Sequence, residues 1–134
     1  MRIALLAASI TLAMASTASL AATAYVSNEK DDSISVIDLA SQTVTETLKV
    51  GMRPRGLLLS SDNKLLYICA SDSDRVQVMD LATRKIIKEL PSGADPEQFA
   101  LHPNDRWLYI SNEDDALVTV VDSQSDAVLA QIDV

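Results

Sequence analysis

Three segments of the chain open on a tyrosine and read alike: Tyr25-Val26-Ser27-Asn28, Tyr67-Ile68-Cys69-Ala70 and Tyr109-Ile110-Ser111-Asn112, at a constant spacing of 42 residues. A fixed period of this length makes each copy one supersecondary unit, which cannot bury its apolar surface alone and must stack on its neighbours. The chain is thereby restricted to architectures built by repetition.

Aligning the copies at that offset shows their internal order. Residues 56–60 fall on 98–102, and Leu65–Ala70 on Trp107–Asn112. Residues 34–38 and 76–80 fall on Leu117–Asp122, and 44–50 and 86–90 on 128–134. Each segment is short, rich in Val, Ile, Leu and Tyr, and bounded by Asp, Asn, Ser, Gly or Pro, which is the pattern of a strand. Four short strands per period make a β-propeller blade. The expectation is an all-β chain of about three four-stranded blades ending near residues 50, 92 and 134, the first lacking its inner strand. Leu57-Leu58-Leu59 is apolar without alternation, which predicts a strand covered on both faces by stacked blades.

The turns agree. Asn63 and Asp105 stand where a left-handed backbone is expected between the first and second strands. Asp38, Asp80 and Asp122 end the third strand at the same period and are expected to accept amide hydrogen bonds in the turn that follows. Such recurrence argues for structure over catalysis.

Residues 1–24 stand apart. Arg2 precedes an apolar stretch to about residue 15, followed by small residues, the pattern of a secretory signal peptide. Small side chains fit cleavage after Ala21 or after Ala24, leaving a propeller over 25–134 in the periplasm or outside the cell. Ser9, Thr11, Ser16, Thr17 and Ser19 make the segment too polar for a membrane span. Cys69 is the single cysteine, so no disulfide is expected, and its apolar setting predicts a small buried hydrophobe.

Nineteen acidic against eleven basic residues, a net charge of -8, exclude nucleic acid as a natural partner. No Cys-x-x-Cys-His, Gly-x-Ser-x-Gly or glycine phosphate loop occurs, so no catalytic residue, metal or cofactor is assigned. The candidate binding residues lie in the loops entering the first strands: Arg53 and Arg55 in one copy, Asp95 and Glu97 in the next. The arginines are expected to pair with acids of the chain itself, the alternative being a grip on a partner's carboxylate. The nearby acidic loops at 28–32, 71–74 and 112–115 read as solvated turns. His102, the only histidine, precedes Pro103 away from these loops and reads as structural.

At residues 25–28, 33–38 and 51–56 the chain resembles the YVTN family of β-propeller repeats, whose blades read Tyr-Val-Thr-Asn, Val-Ser-Val-Ile-Asp and Gly-x-x-Pro-x-Gly. Residues 66–72 and 92–103 are similar to the seven-bladed members associated with PQQ-dependent alcohol catabolism. The resemblance implies a ring of seven blades and a non-catalytic scaffold that binds a protein or small molecule of a periplasmic oxidation system. The alternatives are a lactonase-like propeller enzyme and a truncated chain without independent function. The isolated chain is expected to self-associate through open strand edges and apolar faces.

Overall fold

The computed structural model describes residues 22–134, so residues 1–21, which include most of the expected leader, lie outside the described residues. Eleven strands form three antiparallel sheets. The first holds β1 (Thr23–Asn28), β2 (Ser33–Asp38) and β3 (Thr43–Lys49). The second holds β4 (Pro54–Leu59), β5 (Leu65–Ala70), β6 (Arg75–Asp80) and β7 (Lys85–Pro91). The third holds β8 (Pro96–Leu101), β9 (Trp107–Asn112), β10 (Leu117–Asp122) and β11 (Ala127–Asp133). Consecutive strands are neighbours in every sheet. The sheets are three propeller blades, the first without an inner strand.

Strands β5, β9 and β10 occupy the residues expected from the repeat. Strands β4 and β8 begin two residues earlier, at Pro54 and Pro96, which pair with Ala70 and Asn112. A proline opening an edge strand costs no ladder bond, because its missing N–H has no partner to lose.

The backbone keeps the 42-residue period even where it is irregular. Bulges fall at Val36/Ile37, Val78/Met79 and Val120/Val121. Left-handed residues recur at Asp32, Asp74 and Ala116, at Gln42, Arg84 and Asp126, at Arg53 and Asp95, and at Asn63 and Asp105. The last pair is as the turn sequences predicted. Asp38 Oδ1 accepts from the amides of Ala40 and Ser41, Asp80 Oδ1 from that of Thr83, and Asp122 Oδ1 from those of Gln124 and Ser125. These acids close turns, as their recurrence implied.

The core lies between blades. Along β5, Leu66 and Ile68 pack with Ile34 and Met79 toward blade 1, whereas Tyr67 packs with Leu108, Ile110 and Val121 toward blade 3. Strand alternation thus gives the middle blade two apolar faces. Each fully buried Ile or Leu contributes about 1.5–3 kcal/mol of transfer free energy. Tyr67 also meets Phe99 across the second junction, ring centroids 6.5 Å apart.

One expectation holds only in part. In the run Leu57-Leu58-Leu59, Leu57 packs against the core toward blade 1 and Leu58 against the core toward blade 3, both half-buried, whereas Leu59 is 40% exposed. These residues line a groove beside Thr23, Ala24 and Tyr25, because β1 pairs only with β2 and leaves the inner side of blade 1 open next to β4.

Candidate ligand-binding face

Strands β4 and β8 pack against each other at the second blade junction. Residues one period apart therefore meet there, and at two such positions their charges are opposite: Arg53 with Asp95, and Arg55 with Glu97. Arg53 Nη1 donates to Asp95 Oδ1 at 3.3 Å, and Nη2 lies 3.7 Å from Glu97 Oε1. Arg55 Nη1 donates to Glu97 Oε1 and lies 3.7 Å from Glu113 Oε2. The four residues proposed from sequence come together as one cluster, and the arginines pair with acids of the chain itself.

The loops after β1, β5 and β9 complete the cluster. Glu29 Oε1 accepts from Arg53 Nε at 3.1 Å and lies 3.7 Å from Arg55 Nε, and Asp72 Oδ1 accepts from Arg53 Nη1 at 3.1 Å. The expectation that these acidic loops are merely solvated is overturned. Glu29 and Asp72 bind Arg53, while Asp32 and Asp74 have a separate task. Asp32 Oδ1 accepts from the Arg53 amide at 2.8 Å, and Asp74 Oδ1 accepts from the Asp95 amide at 3.0 Å. Both amides belong to left-handed residues, with φ of 51° and 43°. The Arg53 and Asp95 carbonyls accept from the amides of Ser71 and Glu113. The same bonds thus hold the same unusual backbone in two blades, over-determining a conformation that a non-glycine residue adopts only at a cost. The signal was present in the sequence as the 42-residue spacing of Asp32 and Asp74.

The loops entering β4 and β8 are anchored by different side chains. Gln77 Oε1 accepts from the Gly51 amide at 2.7 Å, while Asn112 Nδ2 donates to the carbonyls of Ser92 and Ala94 at 2.8 and 2.6 Å, with Thr119 Oγ1 donating to Asn112 Oδ1. Gly51 has room only for hydrogen, since a Cβ there would lie 2.6 Å from Ala70 Cβ.

Asp95 is buried and Glu97 is half-buried. Burial pushes the Glu97 carboxyl above its ordinary range, the hydrogen bond and charge of Arg55 pull it back, and Asp95 and Glu113 add to the rise. The carboxylate oxygens of Asp95, Glu97 and Glu113 lie within 4.8 Å of one another, a spacing a cation could bridge. The two guanidinium groups already supply positive charge there. Five carboxylates surround two guanidinium groups, so the face remains acidic and favours cationic or donor-rich groups over anions.

Cys69 and His102 have the structural settings expected of them. Cys69 is fully buried, and burial, with Glu97 and Asp95 nearby, pushes its thiol well above the ordinary range, so it stays protonated and unreactive. His102 Nδ1 accepts from the Asn104 amide, and its ring lies 5.0 Å from that of Trp107. It stiffens the turn between β8 and β9.

The YNCE-like beta-propeller family matches residues 2–134. The chain belongs to that family. No curated protein matches it. Among solved structures, the Kuenenia stuttgartiensis hydrazine synthase is similar with a TM-score of 0.74 and 25% identity, over 81% of this chain and 32% of that one. Dihydro-heme d1 dehydrogenase NirN, solved in complex with DHE, is similar with a TM-score of 0.66 and 19% identity, over 81% of this chain and 23% of that one. The YNCE-like chain thus spans a third or less of the length of these structures, and the likeness concerns the propeller fold.

Proposed function

We propose that this propeller is an exported binding module that carries out no chemistry of its own. The observation that carries the reading is the cluster at the junction of β4 and β8. Both arginines are engaged by Glu29, Asp72, Asp95, Glu97 and Glu113, so they organise the loop face instead of offering a free guanidinium to a reacting group. Cys69 is buried and His102 is held in a turn, so neither presents a thiol or an imidazole on that face. A protein or small molecule with cationic or donor groups suits the excess acid.

The leader-like sequence of residues 1–24 supports a periplasmic or secreted location. Residues 66–72 and 92–103 support a place beside a PQQ-dependent alcohol oxidation system. Turnover of an alcohol or lactone by the purified chain sinks the binding reading. Calorimetric titration with a PQQ-dependent alcohol dehydrogenase should give a saturable signal that Glu97→Gln and Glu113→Gln weaken; a flat titration removes the link to that system.

Self-association is part of the same proposal. Val128, Leu129, Ile132 and Val134 are exposed on and beside β11, and an open apolar surface of this kind favours contact with another copy. Sedimentation of the purified chain should show species larger than a monomer. A single monomer boundary at micromolar concentration rejects this.

A further inference from the structure

We infer that copies of this chain assemble head to tail, blade 3 of one copy stacking on blade 1 of the next. The inference deepens the self-association proposed above and rests on it.

The two internal junctions show what one blade offers the next. Blade 1 presents Tyr25, Ile34 and Leu48 to blade 2, and blade 2 presents Tyr67, Val76 and Leu90, the residues one period on, to blade 3. One period further come Tyr109, Val118 and Ile132, again one aromatic and two aliphatic side chains. Val76 and Leu90 are fully buried, whereas Tyr109 and Val118 are half-buried and Ile132 is 49% exposed. The receiving faces repeat in the same way. Blade 2 meets blade 1 with Ile68, Met79 and Ile86; one period back, blade 1 carries Val26, Ile37 and Val44, of which Val26 is 45% and Val44 57% exposed. Each copy thus has one offering and one receiving face without a neighbour among the described residues, and the two match the pair that already packs inside the molecule. Stacking them joins different surfaces of two copies, a heterologous contact.

The outer strands admit this order. Glu46 pairs with Arg84 across the first junction and Lys88 with Asp126 across the second, so the signs reverse from one junction to the next. The equivalent positions on the two free faces are Ala130 and Gln42, which meet without a clash of charge. A two-fold contact of blade 3 with itself is disfavoured, because Glu97 and Glu113 line the same hollow as Val118 and would bring like carboxylates together.

Sedimentation velocity of blocked variants tests this. Ile132→Glu blocks the offering face and Val44→Glu the receiving face. Each variant alone should sediment as a monomer at a concentration where the parent assembles, and an equimolar mixture should form dimers and nothing larger, since one intact face of each kind remains. A variant that assembles as the parent does, or a mixture that stays monomeric, overturns head-to-tail stacking and leaves self-association standing; a monomeric parent overturns both. Far-UV circular dichroism checks that the variants fold. If either does not, exposed Ala130 and Gln42 decide the matter: Ala130→Glu with Gln42→Arg repeats the Glu46–Arg84 pair and should tighten assembly about 2- to 5-fold, the worth of an exposed ion pair, while Ala130→Lys with Gln42→Arg should loosen it. Equal assembly of these two double variants overturns the inference.

Discussion

Blades 2 and 3 share one backbone and differ in what they present to each other. Their bulges and left-handed residues coincide period for period. Yet the entry to β4 carries Arg53 and Arg55, where the entry to β8 carries Asp95 and Glu97. Gly56 in β4 stands where exposed Gln98 stands in β8. The repeat builds the blades, and departures from it build the junction. Uniform copies would face each other with like charges, and a side chain in place of Gly56 would meet the backbone of β8.

The largest effect should come from the steric half of this contrast. A Cβ on Gly56 would lie 2.6 Å from the Glu97 carbonyl oxygen and 3.0 Å from Gln98 Cα, so Gly56→Val must separate β4 from β8. We expect a loss of about 3 kcal/mol from overpacking, against less than about 1 kcal/mol for Gln98→Gly. Both are read from denaturant midpoints, and equal losses would break the comparison.

The electrostatic half comes next. Arg55→Glu sets a fourth carboxylate among Glu29, Glu97 and Glu113 and should cost about 1–2 kcal/mol at low salt. The exchange Arg55→Glu with Glu97→Arg should recover more than half of it. A strictly additive double variant would show that the opposite charges do not interact.

A smaller difference concerns pH. Arg106 grips Asp122 with two nitrogens, whereas Lys64, its equivalent in blade 2, pairs with Asp62 and not with Asp80. The Arg106 bond first, then the turn amides, hold the Asp122 carboxyl below the usual range. A lowered folded value means stability that is present above the unfolded carboxylate value and is lost as pH falls through the folded one. Asp122→Asn should therefore flatten the acid limb of the stability curve below about pH 4, and Asp80→Asn should flatten it less. An unchanged acid limb in both variants would remove the distinction.

The smallest effect tests where the blades agree. Asn63 and Asp105 share φ values of 55° and 56°, so glycine at either position should raise stability by about 0.5 kcal/mol. A loss at one position alone would show that the two turns are not equivalent.

Much of this molecule could be read from residue order. Strands β5, β9 and β10, the Asp-closed turns and the left-handed turn residues follow from short-range chemistry that acts within a few residues. The clustering of Arg53, Arg55, Asp95 and Glu97 was also legible in part, because loops entering inner strands are few and two of them carry paired charges. Glu29, Asp72 and Glu113 were missed as arginine partners, since acidic turns occur on most soluble surfaces and nothing local marks these. The open side of Leu59 was missed because hydrophobicity shows that a strand seeks cover, not whether a neighbour supplies it.

The sequence by itself determined the period, the blade and its turns, since strand preference, turn chemistry and repetition are properties of adjacent residues. Tertiary structure alone decided that Arg53 meets Asp95 and Arg55 meets Glu97. Residues 42 apart in the chain reach hydrogen-bonding distance only because stacking brings equivalent points of successive blades together.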